Sequence, residues 1–473
     1  MHKLPLFAFM LAAAVPVVAQ QLPVPTPAPS SPPSYLPTVP AHIATIRDAA
    51  LKDDYAWDIT EGLTTEVGQR MAGTEAEARA RSWSVAKLQA LGFANVRVER
   101  FAMPVWTRRA EAAEILAPFP QKLVVTAFGG SGSTPVGGVT GEIVAFTSVA
   151  DLLAAPDSAV RGKIVFVSHE MNPTQDGSSY GYFGGPRRQA PTIASRKGAL
   201  ALLARSIGTD YHRNPHAGSM SFEDGAQAIP AGALSIPDAE QLQRILKRGR
   251  PVTLRLTLVS SVRPGESGNV IAEVPGRDPE APILLVSGHL DSWDQGTGAI
   301  DDATGVAIAA AAAKRIMDAG RPLRTIRIVW FGAEEVGLYG GMFYKDLHGR
   351  EPHYAIAESD FGAGRIWKVD SKLGSAREAE GKMLQAALAP LGIVPGSLDA
   401  ADGSDIGPMI EAGLPAVGLN QDGTRYFDLH HTPDDTLDKV DLGELRQNVA
   451  AWTAMLAVLS GGIEPDPKRP SRR

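Results

Sequence analysis

The run Ile283-Leu284-Leu285-Val286, continuing into Ser287-Gly288-His289-Leu290-Asp291, constrains this chain more than any other stretch. Consecutive branched apolar residues read as a parallel strand buried on both faces. His289 and Asp291 follow at or just past its carboxyl end, two residues apart and so on one side of an extended chain. In open α/β sheets, ligands bind beyond the carboxyl ends of the strands. An imidazole with several carboxylates at such a place, Asp291, Asp294, Asp301 and Asp302, predicts a metal site. That prediction requires further ligands elsewhere in the chain.

Composition narrows which ligands these can be. There are no cysteines, so disulfides and thiolate sites are excluded and any metal must sit on His, Asp or Glu. Lys and Arg total 46 against 52 Asp and Glu, a net charge of −6, which argues against nucleic acid or an anionic membrane surface as partner. Residues 1–19 read as a signal peptide. His2-Lys3 form a basic start, Leu4 to Val18 is apolar, and Val17-Val18-Ala19 precede a cleavage point after Ala19. That apolar stretch is shorter than the roughly 20 residues of a membrane span, so cleavage is expected rather than stable membrane insertion. The expected product is secreted or periplasmic.

Residues 20–40 are dominated by Pro and Ser and read as a disordered leader. A first part of the main domain follows over 41–115. Thr74 to Leu91 is helix-like, with Thr74 as N-cap and Gly92 as stop, and Val96 to Phe101 alternates like a strand. Short-strand, Gly-rich sequence over 116–262 reads as an inserted, β-rich domain. Strand and helix then alternate over 263–463, with strands expected at Val270–Val274, Ile283–Val286, Thr325–Trp330, Ala355–Ala357 and Ala416–Leu419. Helices are expected near 303–319, 376–391 and 443–459. The fold class is thus α/β, a mixed and mostly parallel sheet with helices on both faces, and residues 464–473 read as a tail.

Further ligands do follow these later strands. Glu334-Glu335 come just after Thr325–Trp330, Glu358-Ser359-Asp360 after Ala355–Ala357, and His430-His431 in a loop beyond the last strand. Each alone has an ordinary explanation, as a solvated loop, a surface pair or a helix cap. Together they place His289, Asp301, Glu335, Asp360 and a terminal histidine at one edge of a doubly wound sheet. Carboxylates that close would raise one another's pKa and cost several kcal/mol without positive charge. Two divalent cations supply it, and a shared carboxylate can bridge metals about 3.5–4 Å apart. Nitrogen and oxygen ligands with at least two histidines suit Zn²⁺ best, with Mn²⁺ or Co²⁺ as alternatives. One of the adjacent glutamates can bind metal while its neighbour takes a proton from the attacking water.

The run Ser287 to Asp302, with Gly296, Gly298 and Ala299, closely resembles the hallmark of the carboxypeptidase Q group of co-catalytic di-zinc exopeptidases. Arg205-Ser206-Ile207, Pro215-His216-Ala217-Gly218, Ala228-Ile229-Pro230, Glu358-Ser359-Asp360, Ser404-Asp405-Ile406 and Tyr426-Phe427 before His430-His431 extend the likeness to about 41–460. The resemblance implies His289 and Asp360 as ligands of one metal, Glu335 and His431 of the other, and Asp301 as the bridge, often with a cis peptide to the next Asp. It implies Glu334 as general base and Asp291 as the group orienting His289. His431 is preferred to His430 because three residues separate it from Asp435-Thr436, the family spacing. The segment 116–262 resembles the protease-associated insertion that partly covers the cleft in these enzymes. Ala303-Thr304 depart from the Gly that relatives often carry after the paired aspartates.

The expected activity is hydrolysis of dipeptides or short peptides at a free N-terminus, with a homodimer carried over from the family. An aminopeptidase acting on longer peptides shares the same core. A non-catalytic receptor of this fold would have lost ligands or base, and all are present here. A glutaminyl-cyclase-like acyltransferase would use one metal.

Overall fold

The computed structural model describes residues 36–466, and its centre follows from runs of branched and aromatic side chains. Ile283–His289, Ile326–Phe331, His353–Glu358 and Ala416–Gln421 are strands joined in parallel, with Phe331 beside His289 and Glu358 beside Ser287. Every residue of Ile326–Phe331 is buried, as a strand covered on both faces requires. The sheet is mixed. Residues 270–274 run antiparallel to 326–330 on one side, and Ile366–Lys372 runs antiparallel to the 416–421 strand on the other.

The Thr304–Ala319 helix packs on the 283–289 strand and lies between the Tyr55–Gly62 and Leu442–Leu459 helices. Its alanines explain the close fit: Val306 to Ala313 are all fully buried, and only small side chains let backbones approach from several sides. Trp452 and Trp330 fill the remaining space. Thr74 caps the Glu75–Ala90 helix by accepting the Glu77 N–H at 3.3 Å, where the sequence placed the cap.

Two strands are far longer than sequence alternation suggested. Ala94–Ala117 and Thr253–Val274 pair antiparallel along nearly their whole length and carry the chain out of the main sheet. At the far end, residues 253–256 also pair with 139–142. Between them, Val139–Phe146, Ile164–Val167, Ala201–Arg205 and Ala231–Leu234 form a second parallel arrangement. The stretch expected to be β-rich therefore contains helices as well, among them Val149–Ala154, Ala190–Arg196 and Ile236–Leu246. Helices of six or seven residues are too short to show a helical period.

The strand Ile366–Lys372 and the helix Tyr339–His348 were not anticipated. The proposed signal peptide over 1–19, most of the leader and most of the tail lie outside the described residues. Among the described residues, no helix is long and apolar enough to cross a membrane.

The alanine-lined interface gives a direct test. Ala310→Leu should overpack the space around the 304–319 helix and cost about 1–3 kcal/mol, read as a lower midpoint in thermal unfolding.

Candidate metal centre

The elements above bring His289, Asp301, Glu335, Asp360 and His431 into one buried cluster. His289 closes its strand, and its Nε2 lies 3.0 Å from Asp301 Oδ1 and 3.2 Å from Asp360 Oδ1. His431 Nε2 lies 3.1 Å from Asp301 Oδ2 and 2.8 Å from Glu335 Oε2. The Asp301 carboxylate thus stands between two donor groups and turns one oxygen to each. Ligand atoms of His289, Asp301 and Glu335 lie within 4.8 Å of one another, as do those of His289, Asp302 and Asp360. The Asp301–Asp302 peptide is cis, as the resemblance implied.

Backbone amides hold these acids in place. Asp291 accepts the Glu334 N–H at 3.1 Å and the Glu335 N–H at 3.3 Å, so it fixes the turn that presents both glutamates. Its carbonyl lies 3.1 Å from His289 Nδ1, and its Oδ1 lies 3.7 Å away. The orienting contact to the imidazole is therefore made chiefly by the main chain. Asp302 accepts the His289 N–H and the Gly305 N–H, each at 3.0 Å, tying the strand end to the start of the next helix. Asp435 accepts from Ile300 N at 2.6 Å and Asp301 N at 3.2 Å. Arg70, fully buried, donates to the carbonyls of Leu290, Thr297 and Gly298 and closes the loop carrying Asp301. Ala333 and His431 have left-handed backbone, φ 61° and 58°, a conformation that costs non-glycine residues free energy and concentrates at functional sites.

The electrostatics reflect crowding. Burial pushes the Glu334 carboxyl well above its ordinary value, reinforced by Asp360; burial does the same to Glu335, reinforced by Asp301. Asp302 is raised mainly by burial. Burial also works to raise Asp301, but His430, His289 and His431 outweigh it and hold that carboxyl well below the usual range. Burial disfavours charge on His289, yet Asp360, Asp291 and Asp301 prevail and raise it well above an ordinary imidazole. His431 is lowered by burial.

Sequence reasoning gave no role to His216, Arg70 or Ser404, and named Asp435 only as a spacing mark. His430 Nδ1 lies 2.9 Å from His216 Nε2, and its Nε2 lies 3.2 Å from Asp301 Oδ2, so both histidines of the pair reach the centre. Ser404 donates to Asp360 Oδ2 at 2.5 Å. The quoted runs containing His216 and Ser404 were the only sequence signal for either. Beside Asp360 opens a cavity of about 350 Å³.

The chain is similar to known proteins over most of its length. The model of peptidase family M28 matches residues 269–456. Carboxypeptidase Q of Homo sapiens is 33% identical over 412 residues, 86% of this chain and 85% of the human protein. The chain belongs to peptidase family M28. As a family member it is a metallo-exopeptidase hydrolase. A peptidase M28 precursor from Shewanella amazonensis superposes with a TM-score of 0.85 at 43% identity, covering 90% of this chain and 98% of that one. A zinc aminopeptidase from Bacillus subtilis shares the fold, with a TM-score of 0.62 at 21% identity over 85% of this chain and 94% of its own.

Asp291→Asn would place an amide donor against one of two backbone N–H groups. Activity should fall about 10–100-fold, the range for residues supporting a metal ligand, with the melting temperature little changed, as peptidase assays and circular dichroism would show.

Proposed function

We propose that this M28 peptidase is an exported, co-catalytic di-zinc exopeptidase acting on dipeptides or short peptides with a free N-terminus. The observation that carries the reading is the Asp301 carboxylate, with the His289 imidazole at one oxygen and His431 at the other, Asp360 lying against the first ring and Glu335 against the second.

The residues present fit two divalent cations. Asp301 Oδ2 and Glu335 Oε1 are buried without hydrogen-bond partners, although imidazole nitrogens lie within 3.2 Å of the former. Unsatisfied buried carboxylate oxygens are costly unless a cation accepts them. Burial, reinforced by neighbouring carboxylates, pushes Asp302, Glu334 and Glu335 all up. His289 and Asp360 would hold one ion, His431 and Glu335 the other, with Asp301 shared. Nitrogen and oxygen donors with two imidazoles favour zinc, the metal of the Bacillus subtilis zinc aminopeptidase. Bound zinc would polarise the scissile carbonyl and lower the pKa of the attacking water.

The chain's own groups do the rest. Glu334, with its N–H held by Asp291, takes the proton of the attacking water and returns it to the leaving amine. Asp291, Asp302 and Asp435 keep the acids and His289 from relaxing apart. Residues 116–262 act as an insertion that partly covers the cleft, a reading supported by the contact of His216 with His430. Export would follow cleavage after Ala19.

Glu334→Gln should retain the wild-type zinc content by elemental analysis while turnover falls by about 10²–10⁴-fold, the usual contribution of a general base. Retained turnover would remove Glu334 from that role. Dialysis against a strong chelator should abolish activity, and Zn²⁺ should restore it. In a panel of free and N-acetylated peptides, cleavage of the blocked ones alone would contradict the exopeptidase reading.

A further inference from the structure

The cavity beside Asp360 has an uneven chemical lining. Asp176, Glu358 and Asp402 contribute carboxylates to its wall, and no lysine or arginine lines it. Asp176 already accepts hydrogen bonds from Ser178, so acidity alone would say little. Glu358 is different. It is 7% exposed, and its Oε1 is buried without a hydrogen-bond partner, while Oε2 accepts the Ile406 N–H at 3.3 Å. A buried carboxylate oxygen without a partner beside a cavity leaves a place for a donor from outside the chain.

The opposite character comes from aromatic rings. Tyr180 stacks on Phe427 at 4.6 Å between centroids, and Phe361 meets Phe427 edge-on at 5.8 Å. All three rings line the same space. Arg187 donates to the Tyr180 hydroxyl at 2.6 Å but is not part of the wall. Aromatic rings beside carboxylates in a cavity wall suit a long aliphatic stem ending in a cation. The volume, about 350 Å³, corresponds to roughly ten water molecules.

We propose that this cavity receives the side chain of the substrate's amino-terminal residue and selects lysine or arginine there, through Glu358 and Asp402 and the walls of Tyr180, Phe361 and Phe427. The placement rests on the exopeptidase reading, because Asp360 links the cavity to the reacting centre. The selected group is the side-chain cation; the α-ammonium is common to every substrate with a free N-terminus and cannot produce this preference.

The test compares lysyl-alanine with norleucyl-alanine, which share stem length and α-ammonium and differ in the terminal charge. The zinc-loaded protein should show kcat/KM at least tenfold higher for the lysyl dipeptide. Asp402→Asn and Glu358→Gln should each move that ratio toward one, a change that general damage to the fold or centre would not produce. A ratio of one or below in the wild type overturns the proposal, as does a ratio unchanged in both variants. Calorimetric titration with free L-lysine and L-norleucine reads the cavity without turnover, and lysine should bind the more tightly. Tighter lysine binding with neither dipeptide cleaved would overturn the dipeptidase reading and leave the cavity's cation preference standing. Cleavage of both dipeptides with norleucine binding as well as lysine would do the reverse.

Discussion

Buried carboxylates repel, and the architecture around Asp301 is arranged to hold them together against that repulsion. Asp291, Asp302 and Asp435 each accept two backbone N–H groups near the centre. The donors come from the end of the 283–289 strand, the start of the 304–319 helix, the Glu334-Glu335 turn and the loop holding Ile300 and Asp301. Charge-assisted bonds of this kind are stronger than neutral ones. They also convert flexible strand ends into a fixed frame, so the acids facing the centre cannot swing out to water. Asp301 Oδ2 and Glu335 Oε1 stay without hydrogen-bond partners after this bonding, and both belong to residues that would hold the proposed cations.

The frame rests in turn on packing behind it. The fully buried stretch Val306–Ala313 brings the helix that follows Asp302 close to the strand that ends at His289. Arg70 reaches into the same region from the other side and satisfies carbonyls of the loop between them. Left-handed backbone at Ala333 and His431 puts locally unfavourable conformations at two of the turns that deliver side chains to the cluster. Such strain persists where surrounding structure over-determines it, and here the surroundings are the paired strands and the Asp291 bonds.

Much of this was legible in the sequence, for physical reasons that differ between regions. Parallel strands buried on both faces write themselves as apolar runs, so Ile283–Val286 and Thr325–Trp330 were readable, and so were the acids just beyond them. Ile366–Lys372 was not, because Trp367, Lys368, Asp370 and Lys372 break up the apolar pattern in a strand covered less completely. The short helices within 116–262 fall below the length at which a period shows. His430 was set aside on spacing alone, yet it touches Asp301 through space and is held there by His216, a residue more than two hundred positions away. Contacts of that kind leave no local trace. Asp291 was expected to orient His289; its carbonyl and Oδ1 lie 3.1 and 3.7 Å from Nδ1, and its carboxylate also accepts the Glu334 and Glu335 amides, a contact that leaves no local sequence pattern.

The division between what could and could not be read has a cause in how the molecule is built. In the proposed metal centre His289 ends a strand, Glu335 and Asp360 follow strand ends closely, and Asp301 and His431 come from segments further along the chain. The cavity beside it is assembled differently: Asp176 and Tyr180 come from the 116–262 segment, while Glu358, Asp402 and Phe427 come from the main sheet and its loops. The proposed chemistry thus rests on short sequence motifs. The proposed substrate preference would arise where distant segments meet, Glu358 at the end of a strand and Phe427 in a short helix among them. A change at Asp176 or Asp402 alters the cavity without touching a bond of the Asp291, Asp302 and Asp435 frame. That separation would let one metal centre serve different substrates within the same fold.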